Sequence, residues 1–136
     1  MNYSFVLPCR NEERTLRACI ERIRTAMASM DETSYEIVVS DSSTDRSPDV
    51  ARQMGVVLVK HDKEGYGRAY MEGVARSRGR VLVLGDADDT YDFREIPALL
   101  RHIDTHDLIM GRRAHIHAGA MPWLHRYVGN PLLSGM

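Results

Sequence analysis

Five short runs rich in β-branched and large apolar residues punctuate the chain: YSFVLP (3–8), YEIVVS (35–40), VVLVK (56–60), RVLVLG (80–85) and DLIMG (107–111). Each is bounded by turn residues and reads as a strand. Between the first two, Leu16, Cys19, Ile20, Ile23, Met27 and Met30 recur at helical spacing, with Glu12 and Glu13 placed for the first turn of an amphipathic helix. SPDVARQMG predicts a short helix with Ser47 as its N-cap, Pro48 at the first helical position and Gly55 as terminator. GRAYMEGVARSRG and REIPALLRHI supply two more helices. Strands alternating with helices predict an α/β domain, a mainly parallel sheet with helices on both faces.

Such sheets take ligands outside the carboxyl ends of their strands. The polar clusters fall there: PCRNEE, SDSSTDRS, HDKEGYG, GDADDT and GRRAH each follow a strand. Together they predict one cleft in which Asp41, Asp86 and Asp88 share space with Arg10, Lys63, Arg68, Arg112 and Arg113. That mixture suits a site holding both a divalent metal and phosphate oxygens, because the metal bridges carboxylate to phosphate while Arg and Lys take the remaining charge.

Composition narrows the partners. A formal net charge of −1 over 136 residues gives no global pull toward nucleic acid, so any polyanion is met locally. Two cysteines, Cys9 and Cys19, without a secretory leader pattern, point to a reducing cytosol. No apolar run reaches the roughly 18 residues of a membrane span.

The stretch VLVLGDADDT crowds Asp86, Asp88 and Asp89 behind a strand. Like charges this close raise one another's pKa unless a cation or hydrogen-bond donors offset them. In the plainest account these acids form a solvated turn, Asp89 opening an Asx-turn and the others capping the helix at 94. A strand followed by D-x-D-x-T also resembles the nucleophile motif of haloacid-dehalogenase-like phosphohydrolases. Those enzymes need a downstream lysine, whereas no Lys follows Lys63 and this strand is the fourth, not the first.

The fuller match is to the family 2 inverting glycosyltransferases of the GT-A fold. FVLPCRNEE resembles their opening strand with Pro-x-x-Asn-Glu, EIVVSDSSTDRS their second strand and V-D-D-G-S-T-D segment, and GYGRAYMEGVARSRGRVLVLGDAD their G-x-G-x-A helix leading to D-A-D. LIMGRR lies where G-S-R is frequent, and GAMPWLHRYVGNPLLSGM is similar to members that load sugar onto a polyprenyl phosphate.

The resemblance implies a role for each matching residue. Pro8, Asn11 and Glu12 shape the nucleoside pocket with Arg10 nearby, and Asp41 hydrogen-bonds the base. Gly65 and Gly67 let backbone approach the nucleotide, Arg68 contacts phosphate and Ala87 lies along the nucleotide. Asp86 faces ribose or metal, Asp88 ligates the Mg²⁺ or Mn²⁺ under the diphosphate, and Arg113 meets the phosphate end. Asp86, Asp88 and Arg113 are thus the expected catalytic residues, with Asp86 and Asp88 as metal ligands.

The implied reaction transfers a sugar, with inversion, from a UDP- or GDP-sugar to a polyprenyl-phosphate carrier. It would take place in the cytoplasm, at the inner face of a membrane. Residues 1–113 are expected to form the donor core and 114–136 part of an acceptor-side or membrane-interface segment. With the rest of the acceptor half expected to be absent, the alternative is a noncatalytic nucleotide-sugar-binding remnant. His102 and His106 have metal-ligand spacing but no third ligand, and the arginines of the first helix are interleaved with glutamates, so neither feature predicts a second site.

Overall fold

The computed structural model describes residues 1–111. The chain divides into two compact units, Met1–Ala98 and Leu99–Met136. The first contains a four-stranded parallel sheet of β1 (Tyr3–Cys9), β2 (Tyr35–Asp41), β3 (Val57–Lys60) and β4 (Val81–Leu84), in the order β3-β2-β1-β4. The helices are α1 (Leu16–Ser29), α2 (Ser47–Gln53), α3 (Tyr66–Arg76) and α4 (Ile96–Leu100), the last preceded by a 3₁₀ turn, Phe93–Glu95.

The strand order dictates where the helices lie. β1, β2 and β3 advance in one direction, so right-handed crossovers put α1 and α2 on one face. The step from β3 to β4 runs back across the sheet and carries α3 to the other. α1 turns Leu16, Cys19, Ile20, Ile23, Ala26 and Met27 inward, and the sheet residues Phe5, Leu7, Ile37 and Val39 are all 4% exposed or less. On the opposite face α3 lies close against the strands: a Cβ added to Gly73 would sit 2.4 Å from Val6 Cγ1 and 3.3 Å from Ser40 Cβ. The Ser40 hydroxyl anchors the same helix by donating to the Ala69 carbonyl at 2.6 Å.

At the amino ends of the strands, buried Glu36 closes the sheet. It accepts from the Ser4 hydroxyl and the Arg78 backbone N–H, both at 2.7 Å, and from the Arg78 guanidinium at 3.1 and 3.2 Å. Burial pushes its pKa up, but these donors outweigh it and hold the carboxyl below its ordinary value.

Three expectations change. Residues 107–111 form no strand, and Leu108 and Met110 are 77% and 79% exposed; among the described residues this run finds no ladder to join, and an apolar sequence by itself does not make a strand. Ser47 is the first residue of α2 instead of its N-cap. The N-cap position is Arg46, which makes no side-chain cap bond, and Asp45 before it accepts from the Ser47 N–H at 2.9 Å and hydroxyl at 2.6 Å. Glu12 and Glu13 precede α1, whose N-cap position is Thr15. No helix among the described residues is long and apolar enough to cross a membrane.

Candidate nucleotide and metal site

In a sheet ordered β3-β2-β1-β4, the connection reverses direction between β1 and β4, and the crevice beyond their carboxyl ends is the natural ligand site. A cavity of about 250 Å³ lies there. Pro8, Cys9, Arg10 and Glu12 line it from the end of β1, Asp86, Ala87 and Asp88 from the end of β4, and Ser42, Lys63, Gly65, Tyr66 and Ala69 complete it. Three carboxylates and two cations therefore share one small volume.

Interlocked loops build the β1 wall. Asn11 adopts a left-handed backbone, φ 57°, which asparagine tolerates better than most residues. Its side-chain oxygen accepts from the Thr44 and Asp45 backbone N–H groups at 2.9 and 3.2 Å. The backbone N–H groups of Asn11, Glu12 and Glu13 donate in turn to Ser43 Oγ, Ser47 Oγ and Asp45 Oδ2. The Thr15 hydroxyl leaves the helix end uncapped and donates instead to the Ala87 carbonyl at 2.6 Å, tying β1's loop to β4's.

The acidic stretch divides its labour. Asp86 accepts from the hydroxyls of Tyr66 and Tyr70. Ala87, 1% exposed, lines the cavity between Asp86 and Asp88. Asp88 closes the turn, accepting from the Thr90 N–H at 3.1 Å and hydroxyl at 2.7 Å. Asp89, at φ 66°, pairs with Arg22, and Asp92 caps the 3₁₀ turn through the Arg94 N–H. The Asx-turn thus belongs to Asp88, and the capping acid is Asp92. Burial, with the charges of Tyr91 and Asp88 adding to it, pushes the Tyr70 phenol up to about 12, so it remains a hydroxyl donor at neutral pH.

Of the residues read from sequence, Pro8, Arg10, Glu12, Gly65, Asp86, Ala87 and Asp88 come together at this cavity. Asn11 stands behind its wall as the clasp between loops. Asp41 is fully buried; its carboxylate is engaged by Lys60 Nζ at 2.5 Å and the Ser43 hydroxyl at 2.6 Å. Gly67 and Arg68 belong to the first turn of α3, outside the cavity lining. Arg112, Arg113 and segment 114–136 lie outside the described residues. Sequence reasoning passed over Tyr66 and Tyr70, although their spacing of four on one helix, with Tyr66 between two glycines, was the available signal.

A divalent ion fits the donor set in a limited way. Among the described residues no three His, Cys, Asp or Glu side chains converge on one point. Asp86 and Asp88 both reach the cavity, and magnesium-like ions commonly take only one or two carboxylates and complete their shell with substrate phosphates and water.

Comparison with known proteins bears on the family and the fold. Over 135 residues the chain is 44% identical to the low-salt glycan biosynthesis hexosyltransferase Agl6 of Haloferax volcanii, covering 96% of this chain and 32% of that protein. It is 36% identical to the dolichyl-phosphate hexose transferase of the same organism, covering 85% of this chain and 50% of the relative. The fold superposes with a TM-score of 0.71 and 25% identity on glucosyl-3-phosphoglycerate synthase from Mycobacterium tuberculosis, solved in complex with Mn²⁺, UDP and glucosyl-3-phosphoglycerate. That match covers 98% of this chain and 50% of the synthase. The chain thus spans half or less of the length of these relatives. Residues 4–132 match Glycosyl transferase family 2, and with the sheet and strand-end cavity in place the chain belongs to that family and carries the GT-A fold.

Proposed function

We propose that the cavity binds a nucleotide-sugar donor with Mg²⁺ or Mn²⁺ and that the sugar passes, with inversion, to a polyprenyl phosphate. The observation that carries this reading is the gathering of Glu12, Asp86 and Asp88 with Arg10 and Lys63 around one cavity at the sheet's switch point. Cleaving a sugar from a nucleoside diphosphate builds negative charge on the departing phosphates. Arg10 and Lys63 are placed to take part of that charge, and stabilisation counts for rate where it grows toward the transition state. Asp86 and Asp88 would hold the metal, which when bound supplies further countercharge for the diphosphate. Gly65, at φ 100°, opens α3 with a backbone that a side chain would strain, leaving room beside the donor.

A polyprenyl-phosphate acceptor is favoured because a phosphate is already anionic at neutral pH and needs no strong base. The dolichyl-phosphate relative supports it by name. Arg113 is assigned to the phosphate end, and residues 1–113 to the donor core, on the resemblance alone.

The test is a thermal-shift screen of UDP- and GDP-sugars with and without metal, since a ligand that binds the folded state raises its stability. The preferred donor should raise Tm only with Mg²⁺ or Mn²⁺, and Asp88→Ala should remove that increment, measured against its own unliganded Tm, which falls a little with the loss of the turn bonds to Thr90. An equal metal-dependent shift in Asp88→Ala would overturn the ligand assignment. Donor binding without transfer to a short-chain polyprenyl phosphate would mark the chain as a binding module.

A further inference from the structure

Two hydroxyls from one helix meet the Asp86 carboxylate. Tyr66 and Tyr70 stand four residues apart on α3, so their rings rise from the same face and pack edge to face, with centroids 5.0 Å apart. Both donate to the same oxygen, Oδ1, Tyr70 at 3.1 Å. A carboxylate oxygen has two lone pairs, and two donors engage both. Tyr66 also lines the cavity and is 57% exposed, whereas Tyr70 is half-buried and outside its lining.

We propose that Tyr66 and Tyr70 are positioning residues, a two-hydroxyl clamp that holds Oδ1 of Asp86 and so sets which edge of the carboxylate meets a metal-bound nucleoside diphosphate. The proposal rests on the donor-site reading above and adds a selectivity to it. With Oδ1 engaged, Asp86 is a poor partner for a bare cation, which gains most from an unrestrained carboxylate. A cation arriving on a diphosphate brings its own oxygens and needs only one oriented contact. The clamp therefore favours the metal–nucleotide complex over the metal alone.

Tyr66→Phe, Tyr70→Phe and the double variant keep the rings and delete the hydroxyls, so the edge-to-face packing survives. Three measurements on the full chain separate the possibilities: the Asp86 carboxylate ¹³C resonance in ligand-free protein, assigned with Asp86→Asn; Mn²⁺ affinity alone, by electron paramagnetic resonance; and UDP and GDP affinity with Mn²⁺, by calorimetry. In the double variant the Asp86 resonance should move, affinity for Mn²⁺ alone should hold or rise, and affinity for the Mn²⁺–nucleotide complex should fall about tenfold. A purely structural role would lower both affinities together with Tm and overturns the proposal. An unmoved Asp86 resonance, or nucleotide affinity equal to wild type, overturns it too. If the wild-type chain binds neither nucleotide with Mn²⁺, the donor-site reading falls and takes the clamp's role with it. The resonance measurement then still shows whether the hydroxyls hold Asp86.

Discussion

Gly73→Ala sets two effects of opposite sign against each other at a buried contact. Alanine in a helix interior is favoured over glycine by about 1 kcal/mol, so propensity alone makes the variant more stable. The structure predicts the reverse. The new Cβ would lie 2.4 Å from Val6 Cγ1, where carbon atoms need roughly 3.5–4.0 Å, and Val6 is fully buried on a central strand with a stiff, branched side chain. Relief requires α3 to lift or Val6 to leave its rotamer, and overpacking of this kind costs about 1–3 kcal/mol. With Ser40 Cβ a further 3.3 Å contact, the upper half of that range applies, and after the propensity gain the net loss is about 1–2 kcal/mol. For a domain of this size that lowers Tm by roughly 5–10 °C.

Urea denaturation of wild type, Gly73→Ala, Val6→Ala and the double variant completes a cycle. Removing Val6 Cγ1 makes room for the new Cβ, so the double variant should lose at least about 1 kcal/mol less than the two single losses added together. Gly73→Ala as stable as wild type, or a cycle without coupling, would refute the close packing of α3 on β1. Because α3 carries Tyr66 and Tyr70, the single variant should also shift the Asp86 resonance without touching either tyrosine.

Two other outcomes follow from charge and burial. Glu36 is held ionised in the fold below its ordinary value of 4.5, so its contribution to stability is complete above that pH and is lost as pH falls through the lower folded value; Glu36→Gln should be less stable at neutral pH, with a flatter loss of urea midpoint on acidification, and an unchanged acid limb would contradict this. Burial raises both thiols, Cys9 and Cys19, to about 11, so neither should react appreciably with a disulfide reagent near pH 8 in the native protein, while both should react in urea; rapid native labelling of Cys9 would show that the cavity wall opens.

What the sequence by itself determined is what local patterning encodes. Alternating apolar runs and helical spacing marked β1 to β4 and α1 to α3, because side-chain periodicity reports which face each element buries. Turn residues behind the strands placed Pro8, Arg10, Glu12, Gly65, Asp86, Ala87 and Asp88 at one end of a parallel sheet, since every parallel strand delivers its following loop to the same side. The same patterning misread 107–111, whose apolar residues have no neighbouring ladder among the described residues, and it put the N-cap of α2 on Ser47, one residue past Arg46. Only the tertiary structure decided the order β3-β2-β1-β4, which puts the crevice between β1 and β4. It alone buried Asp41 against Lys60, and it alone brought two tyrosines onto one oxygen of Asp86. Residues 19 and 16 to 20 positions apart meet in these contacts because a long crossover returns the chain to the strand ends, and no local pattern records a distance that depends on how the whole sheet is assembled.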